Sequence, residues 1–449
     1  MDNMNIALIK EITARKIFRI SLPLMISALS SHFMMILDQL VLARYSIDSM
    51  IGASSASTWC GALQLAAIST TMIAGSFVGN YNGAEKFKLA SIPVWQMIWF
   101  SLLLFSISIP LSIFAGDICI PDNLKSEGIP YFKVMMFATP LYGIYYSLAS
   151  FFVAIGKGFL VTISLLIANI VNITADIILV FGYFGITDFQ GSLGAAIGTV
   201  VAILINISFL FTFYFSKKIR EKYDTFNLKL RFEKMKECLK LGLAGGISHM
   251  IEMASWSVVY YLLASVAKEE AMIQSIAVSV SLFMAFIISG LEQGSMALSS
   301  NFLGAKERIK IDQVLKKALL IHFIFAFIII CVFKFFPEFI VNNFIRFDID
   351  AETFNRATSI LMLVALYFLI DGIVWIISGI LTGGGDINYK MITIALALWV
   401  FVALPCYLFF KFEILSVEKT WQLLCVSVFA IGLVLYHRYR SDKWIHIEV

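Results

Sequence analysis

Twelve long apolar runs alternate with short polar connections along this chain, and that alternation leaves few folds open to it. The runs cover residues 17–43, 51–79, 92–115, 130–155, 159–182, 193–215, 241–266, 271–303, 317–341, 357–381, 389–410 and 419–437. Each is long enough to cross a bilayer, for which about 20 apolar residues suffice. Within hydrocarbon every backbone N–H and C=O must be satisfied internally, so runs of this length specify helices. The expected fold is an all-α polytopic membrane protein with twelve transmembrane helices. Only 14% of the residues are charged, against about 25% in soluble domains.

The 34 Lys and Arg residues are unevenly distributed among the connections. Lys10, Arg15, Lys16 and Arg19 precede or open the first run, and the richest cluster lies at 217–240. Arg44, Lys125, Arg346 and a few others fall on the opposite side. The positive-inside rule then puts both termini in the cytoplasm. A net charge of +4 dispersed in this way gives no reason to expect a nucleic-acid partner. Every Lys and Arg can be assigned to a connection or a span end, whereas several acids cannot, so the interior is expected to be electronegative. The six cysteines are scattered, with no CxxC or His pairing at metal-ligand spacing, and read as small apolar residues. The first run is too long for a cleavable signal core and is expected to remain.

The longest hydrophilic segment, "SKKIREKYDTFNLKLRFEKMKECLK", divides the chain into an N-lobe (1–215), a cytoplasmic linker (216–240) and a C-lobe (241–449). Its apolar residues among charges suit a segment lying on the membrane surface; a plain solvated linker fits equally. A shift of 221 residues aligns Ile26-Ser27 with Ile247-Ser248 and "NYNGA" (80–84) with "NFLGA" (301–305). This pattern is that of a duplicated six-span unit. An even number of spans per unit makes the repeats parallel, and such proteins bind substrate between the halves.

An acid deep in a membrane helix costs a few kcal/mol and faces a cavity or the bundle interior. Asp38 in the first run is such a residue, unless it reaches interfacial water near the helix end. In the fifth run Asn169, Asn172 and Asp176 share one helix face, and the sixth adds Thr199. Carboxylates, amide oxygen and hydroxyl suit a hard cation, while a carboxyl pair can instead share a proton. The second half carries Glu252, Glu292 and Asp371, with Tyr367 one turn before Asp371. Repeat alignment does not superpose these acids on the first set: Asp38 pairs with Val259. Met34, Met35, Met253 and Trp256 are candidates, with Glu292, for a cleft taking apolar cations through soft packing and cation–π contact; ordinary packing is the alternative. Pro23 sits where a kink would redirect the first helix. His32 and His249 have no second ligand at metal spacing. No P-loop, GxSxG or HExxH occurs, so no catalytic residue, metal or cofactor is expected, and uphill movement would draw on an ion gradient.

These residues resemble the multidrug and toxic compound extrusion (MATE) family, closest to its NorM-type bacterial branch. The resemblance spans nearly the whole chain: Pro23 to Asp38, "GNYNGAEK", Asn172 and Asp176, "GSLGAAIGTV", Glu252, "SSNFLGAKER", and Tyr367 to Asp371 followed by "SGILTGGGD". "GGGD" departs from the commoner arginine-containing "LRGxGD" pattern. The resemblance implies two pseudo-symmetric six-helix lobes around a V-shaped cleft in a bacterial plasma membrane. It also implies a monomer that exports organic compounds against entry of Na⁺ or H⁺. Asp38, Asn172, Asp176 and Thr199 match the family's N-lobe cation or proton site; Glu252, Tyr367 and Asp371 match its C-lobe cation site. The alternative is a lipid-linked saccharide flippase, similar in architecture, or a specialised metabolite exporter of the same superfamily. A flippase's anionic cargo would call for Arg or Lys in the cleft.

Overall fold

A computed structural model describes residues 11–185, 187–344 and 351–445; Lys10 and Arg346 lie outside the described residues. Helix dominates throughout. In the first half the long helices are α1 (Ala14–Tyr45), α2 (Ile47–Gly83), α3 (Phe87–Phe114), α4 (Asp122–Phe137 with Thr139–Ala154), α5 (Gly158–Phe181) and α6 (Ser192–Tyr214). In the second they are α7 (Phe232–Val266), α8 (Lys268–Gly304), α9 (Arg308–Phe335), α10 (Ala351–Gly383), α11 (Ile387–Lys411) and α12 (Val417–Arg440). Among the described residues ten helices are long and apolar enough to cross a membrane, and α4, bent by 43°, makes an eleventh. The twelfth, α7, has 35 residues, but glycines, serines, His249 and Glu252 dilute its apolar character. Those same residues place a polar face toward the protein interior.

Local signals explain the boundaries. Ser46 alone connects α1 to α2: it ends the first helix, and its hydroxyl accepts from the backbone N–H groups of Asp48 and Ser49, as an N-cap should. At the end of α5 the chain turns through Gly182 in a left-handed conformation, φ 68°, which a side chain would disfavour. The ninth apolar run extends to 341, yet α9 stops at Phe335 because Pro337 cannot continue it; a short helix, Pro337–Phe344, follows. Large apolar side chains such as Phe114, Phe283 and Phe327 are more than half exposed. In water this would be a liability; in a bilayer it is the lipid-facing surface.

The linker is neither free nor simply laid on a surface. After a short helix, Lys217–Tyr223, the chain turns at 224–226 and continues without helix through 231 along α3, held by its backbone. Trp95 Nε1 donates to the Thr225 carbonyl at 2.9 Å, and Trp99 Nε1 to that of Leu228 at 2.9 Å. Gln96 bonds both ways, to the Lys229 carbonyl at 3.1 Å and from the Arg231 N–H at 2.8 Å. Helix α7 then begins at Phe232, nine residues before the seventh apolar run.

The halves meet through the repeated motif. A Cβ on Gly83 would overlap the Asn301 carbonyl, and one on Gly304 would overlap the Asn80 carbonyl. Positions 80 and 301, and 83 and 304, are the pairs that the 221-residue shift equates, so the contact is reciprocal about a pseudo-twofold axis. Buried Asn82 donates to Asn301 Oδ1 at 2.6 Å and accepts from Tyr223 of the linker helix at 2.9 Å. Asn301 donates onward to the Ala154 carbonyl at 2.8 Å. Further close approaches, Met25 on Gly290, Ser21 on Gly294, and the Thr70 carbonyl on Gly242, all lie in the half of the bundle that carries the linker. Asp386 of "GGGD" is gripped by Arg438 at the end of α12, at 2.6 and 3.3 Å, so a basic partner arrives from another helix instead of from the loop.

Candidate functional sites in the two lobes

In the first half, α1, α5 and α6 converge on Asp38 and Asp176. The α5 stripe places Asn169, Asn172 and Asp176 on one buried face, as spacings of three and four require. Asn169 bonds the Ser30 carbonyl of α1 at 2.9 Å and its hydroxyl at 2.5 Å; it is a helix-to-helix tie. Asn172 Nδ2 reaches Asp176 Oδ1 at 3.4 Å. Gly198 on α6 lets that helix close on the Asp176 carboxyl, which a Cβ there would strike. The Asp38 and Asp176 carboxyls are neighbours.

One oxygen on each of Asp38, Asn169, Asn172, Asp176 and Asn206 is buried without a hydrogen-bond partner in the protein. Buried polar atoms are normally satisfied. A group of buried oxygen acceptors left open around two carboxyls suits a monovalent cation or a shared proton. Beside them lies a cavity of about 720 Å³ whose walls include Met34, Met35, Asp38, Thr199 and Asn206, together with Tyr131, Tyr142, Tyr145 and Tyr146. Its size lies within the range that takes drug-sized molecules. The tyrosines and Asn206 were not singled out from the sequence. Asn206 had a usable signal, since it stands two turns from Thr199 on the same helix; the tyrosines come from α4, whose bend no spacing rule places.

In the second half a smaller cavity, about 110 Å³, is lined by His249, Glu252, Trp256, Glu292, Tyr367, Asp371, Trp375 and Lys390 among others. Residues 249, 252 and 256 share one face of α7. His249 Nδ1 lies 3.2 Å from Glu252. Tyr367 stacks edge-on against Trp421, ring centres 5.4 Å apart, and Trp421 is itself fixed by Gln274 at 2.9 Å. Asp371 is buried within reach of the Tyr367 and Trp375 side chains. Thus Asp38, Asn172, Asp176 and Thr199 gather in one lobe, and Glu252, Tyr367 and Asp371 in the other. The cleft candidates divide: Met34 and Met35 line the first cavity, Trp256 and Glu292 the second, and Met253 lines neither.

One expectation fails here. Lys390, assigned from sequence to a connection, is buried, and its ammonium sits 2.9 Å from Glu292 inside the second cavity. It opens α11, so its backbone is at a helix end, but its side chain points inward. The interior is therefore not purely acidic.

Two six-helix halves, joined at one end and holding polar cavities within apolar bundles, define a polytopic two-lobed membrane transporter. The MatE family model matches residues 23–178 and 246–408, together well over half of the chain. The chain belongs to that family, whose members are transporters and not enzymes. It is 23% identical over 449 residues to the "Probable multidrug resistance protein NorM" of Mannheimia succiniciproducens, with 96% of this chain and 95% of that one covered. It is 26% identical over 378 residues to the "Multidrug export protein MepA" of Staphylococcus haemolyticus, covering 82% and 80%. A crystal structure of MATE in the straight conformation superposes with TM-score 0.86 at 16% identity over 99% of both chains. The eukaryotic MATE transporter AtDTX14 superposes with TM-score 0.79 at 20% identity over 96% of both.

Proposed function

We propose that the protein is a monomeric multidrug efflux antiporter of a bacterial plasma membrane. It exports organic, amphipathic, cationic compounds against entry of Na⁺ or H⁺. The observation that carries this reading is the 720 Å³ cavity, where tyrosine and methionine walls surround Asp38 beside open carboxyl and amide oxygens. Such walls accept varied apolar cations through cation–π contact and adaptable packing, and the carboxyl pair exchanges cargo charge for an incoming cation. The names of the NorM and MepA relatives agree with efflux of drugs. Among the described residues lining the two cavities the one Lys or Arg is Lys390, already held by Glu292, which disfavours the flippase reading and its pyrophosphate carrier.

In this mechanism residues 1–215 and 241–449 act as two lobes, with 216–240 as a linker on the cytoplasmic side along with both termini. The linker-side contacts through Gly83 and Gly304 then close the cytoplasmic face. Alternating access requires them to part while the opposite ends approach. The Asp38–Asn172–Asp176–Thr199 group and the Glu252–Tyr367–Asp371 group are the two candidate coupling sites. One charge moving through 100 mV supplies about 2.3 kcal/mol, and a tenfold ion gradient adds about 1.4 kcal/mol. One-to-one exchange then sustains roughly 500-fold accumulation.

Efflux of ethidium from loaded cells, with and without Na⁺ at fixed pH, tests this reading in wild type, Asp38→Asn, Asp176→Asn and Asp371→Asn. We expect wild-type efflux to be driven by one of the two ions, and at least one acid variant to lose at least about tenfold. Sensitivity of Asp371→Asn alone assigns coupling to the C-lobe; sensitivity of Asp38→Asn and Asp176→Asn alone assigns it to the N-lobe. Absence of efflux for every cation tried, with the protein present in the membrane, would overturn the proposal.

A further inference from the structure

We propose that Lys390 is a tethered counter-cation that removes Glu292 from ion binding and so sets how many charges the C-lobe cavity can accept. This rests on the cation-coupled reading above for the role of the cavity, but not for the existence of the pair.

Three acids line this cavity, and each has a different kind of partner. Glu252 faces His249 at 3.2 Å, a partner that is charged only when protonated. Asp371 faces the neutral donors of Tyr367 and Trp375. Glu292 alone faces a permanent charge, the Lys390 ammonium at 2.9 Å, with Thr382 Oγ1 at 3.4 Å from the same nitrogen. Both side chains are largely withdrawn from solvent, 11% and 19% exposed.

An ion pair in such a place is a poor stabiliser. Desolvation consumes most of the attraction, and a well-packed apolar pair would serve the fold as well or better. What an apolar pair would not do is hold an ammonium at the wall of an acidic cavity. With Glu292 neutralised in place, the cavity offers an incoming cation the Glu252 and Asp371 carboxylates only. A lysine on a flexible stem suits this role because it is a compact point charge that can be re-aimed. The geometry is fixed by the backbone around it: Gly379 on α10 packs on the Glu292 carbonyl with no room for a Cβ, which aligns α8 against α10 at the level of the pair.

The two single substitutions should therefore act in opposite directions. Removing the lysine (K390Q) releases a third carboxylate and strengthens cation binding. Removing the acid (E292Q) releases the ammonium toward Glu252 and Asp371 and weakens it. Removing both (K390Q/E292Q) restores the original balance. A residue that merely braces α11 against α8 would give losses of the same sign in both single variants.

The test is a Na⁺ titration of the purified full-length protein at fixed pH and ionic strength. It is read by tryptophan fluorescence, since Trp256 and Trp375 line the cavity, with D371N in each background to localise the signal. We expect the half-saturating Na⁺ concentration to fall at least about tenfold in K390Q. It should rise at least about tenfold in E292Q, and stay within about threefold of wild type in the double variant. Shifts of equal sign in the single variants, or a double variant that does not return, overturn the proposal. A wild type without a Na⁺ response beside a K390Q protein that has one supports the role of Lys390 while removing Na⁺ coupling at this lobe. No response in either overturns the proposal. Should K390Q not fold, the charge-swapped E292K/K390E, which keeps the ion pair, and E292Q still carry the test: wild-type-like binding in the first and weakened binding in the second are required.

Discussion

At the level of single residues, the protein spends its polar side chains on two kinds of task. Asn169 donates to Ser30 of α1, and Gln274 accepts from the Trp421 indole, so each ties a helix or an aromatic ring in place. Asp38, Asn172 and Asp176 each keep a buried oxygen without a protein partner, which costs stability and which a bound cation or shared proton would relieve. Gly198 is what lets α6 close on the Asp176 carboxyl. Gly198→Ala is expected to push α6 off the Asp176 carboxyl and to cost about 1–3 kcal/mol. Thermal unfolding in detergent should show a lower midpoint, and ethidium efflux should fall together with it. An unchanged midpoint with full efflux would mean that α6 has more room than its contact with Asp176 allows.

Among the elements, α7 and the linker show how local sequence is overridden by its neighbours. Of the twelve helices α7 alone lacks a stretch apolar enough to count as a span by length and composition, because one of its faces belongs to a cavity and not to lipid. The linker has an amphipathic pattern that fits a membrane surface, yet residues 224–231 are captured by α3, whose Trp95, Gln96 and Trp99 satisfy backbone groups that would otherwise need water. Gln96→Ala removes two of these bonds at once, worth about 1–2 kcal/mol. Trypsin cleavage after Lys229 and Arg231 in the folded protein should accelerate roughly tenfold, while the thermal midpoint of the bundle should move little. Cleavage at the wild-type rate would show that Gln96 does not hold the strap.

For the whole molecule, the decisive contact is the reciprocal seat of Gly83 and Gly304 on the carbonyls of the opposite motif. Packed interfaces of this kind are bistable instead of continuously deformable, which suits the alternating access proposed above. Gly83→Ala and Gly304→Ala should disturb the same contact from its two sides and reduce efflux to a similar degree, about tenfold or more. Gly61→Ala, where a Cβ meets open space, should leave efflux within about twofold. Unequal effects of the two motif substitutions would deny that the seam is symmetric in function. Asn82→Ala, which breaks the chain from Tyr223 through Asn82 to Asn301, should weaken the same state by about 1–3 kcal/mol. A spin-label or fluorophore pair across the linker-side ends would report this as a larger population with those ends apart.

The sequence alone determined the twelve spans, the duplication and the helix-bound clusters such as Asn172 with Asp176. Each of these is written in a local period: the length of an apolar run, a constant offset of 221, or spacings of three and four on one helix. What it left undecided was which helix faces meet. Lys390 and Glu292 are 98 positions apart, and the lysine's place beside a polar turn gives no sign that its side chain turns inward. The same holds for the four tyrosines that α4 delivers to the first cavity and for the capture of the linker by α3. In lipid the outside of a helix is as apolar as its packed side, so apolar pattern does not tell which face is buried. Only the assembled bundle, through glycines that admit a neighbour's backbone and polar atoms that must find partners, decided which charges share a cavity and at which end the two lobes close.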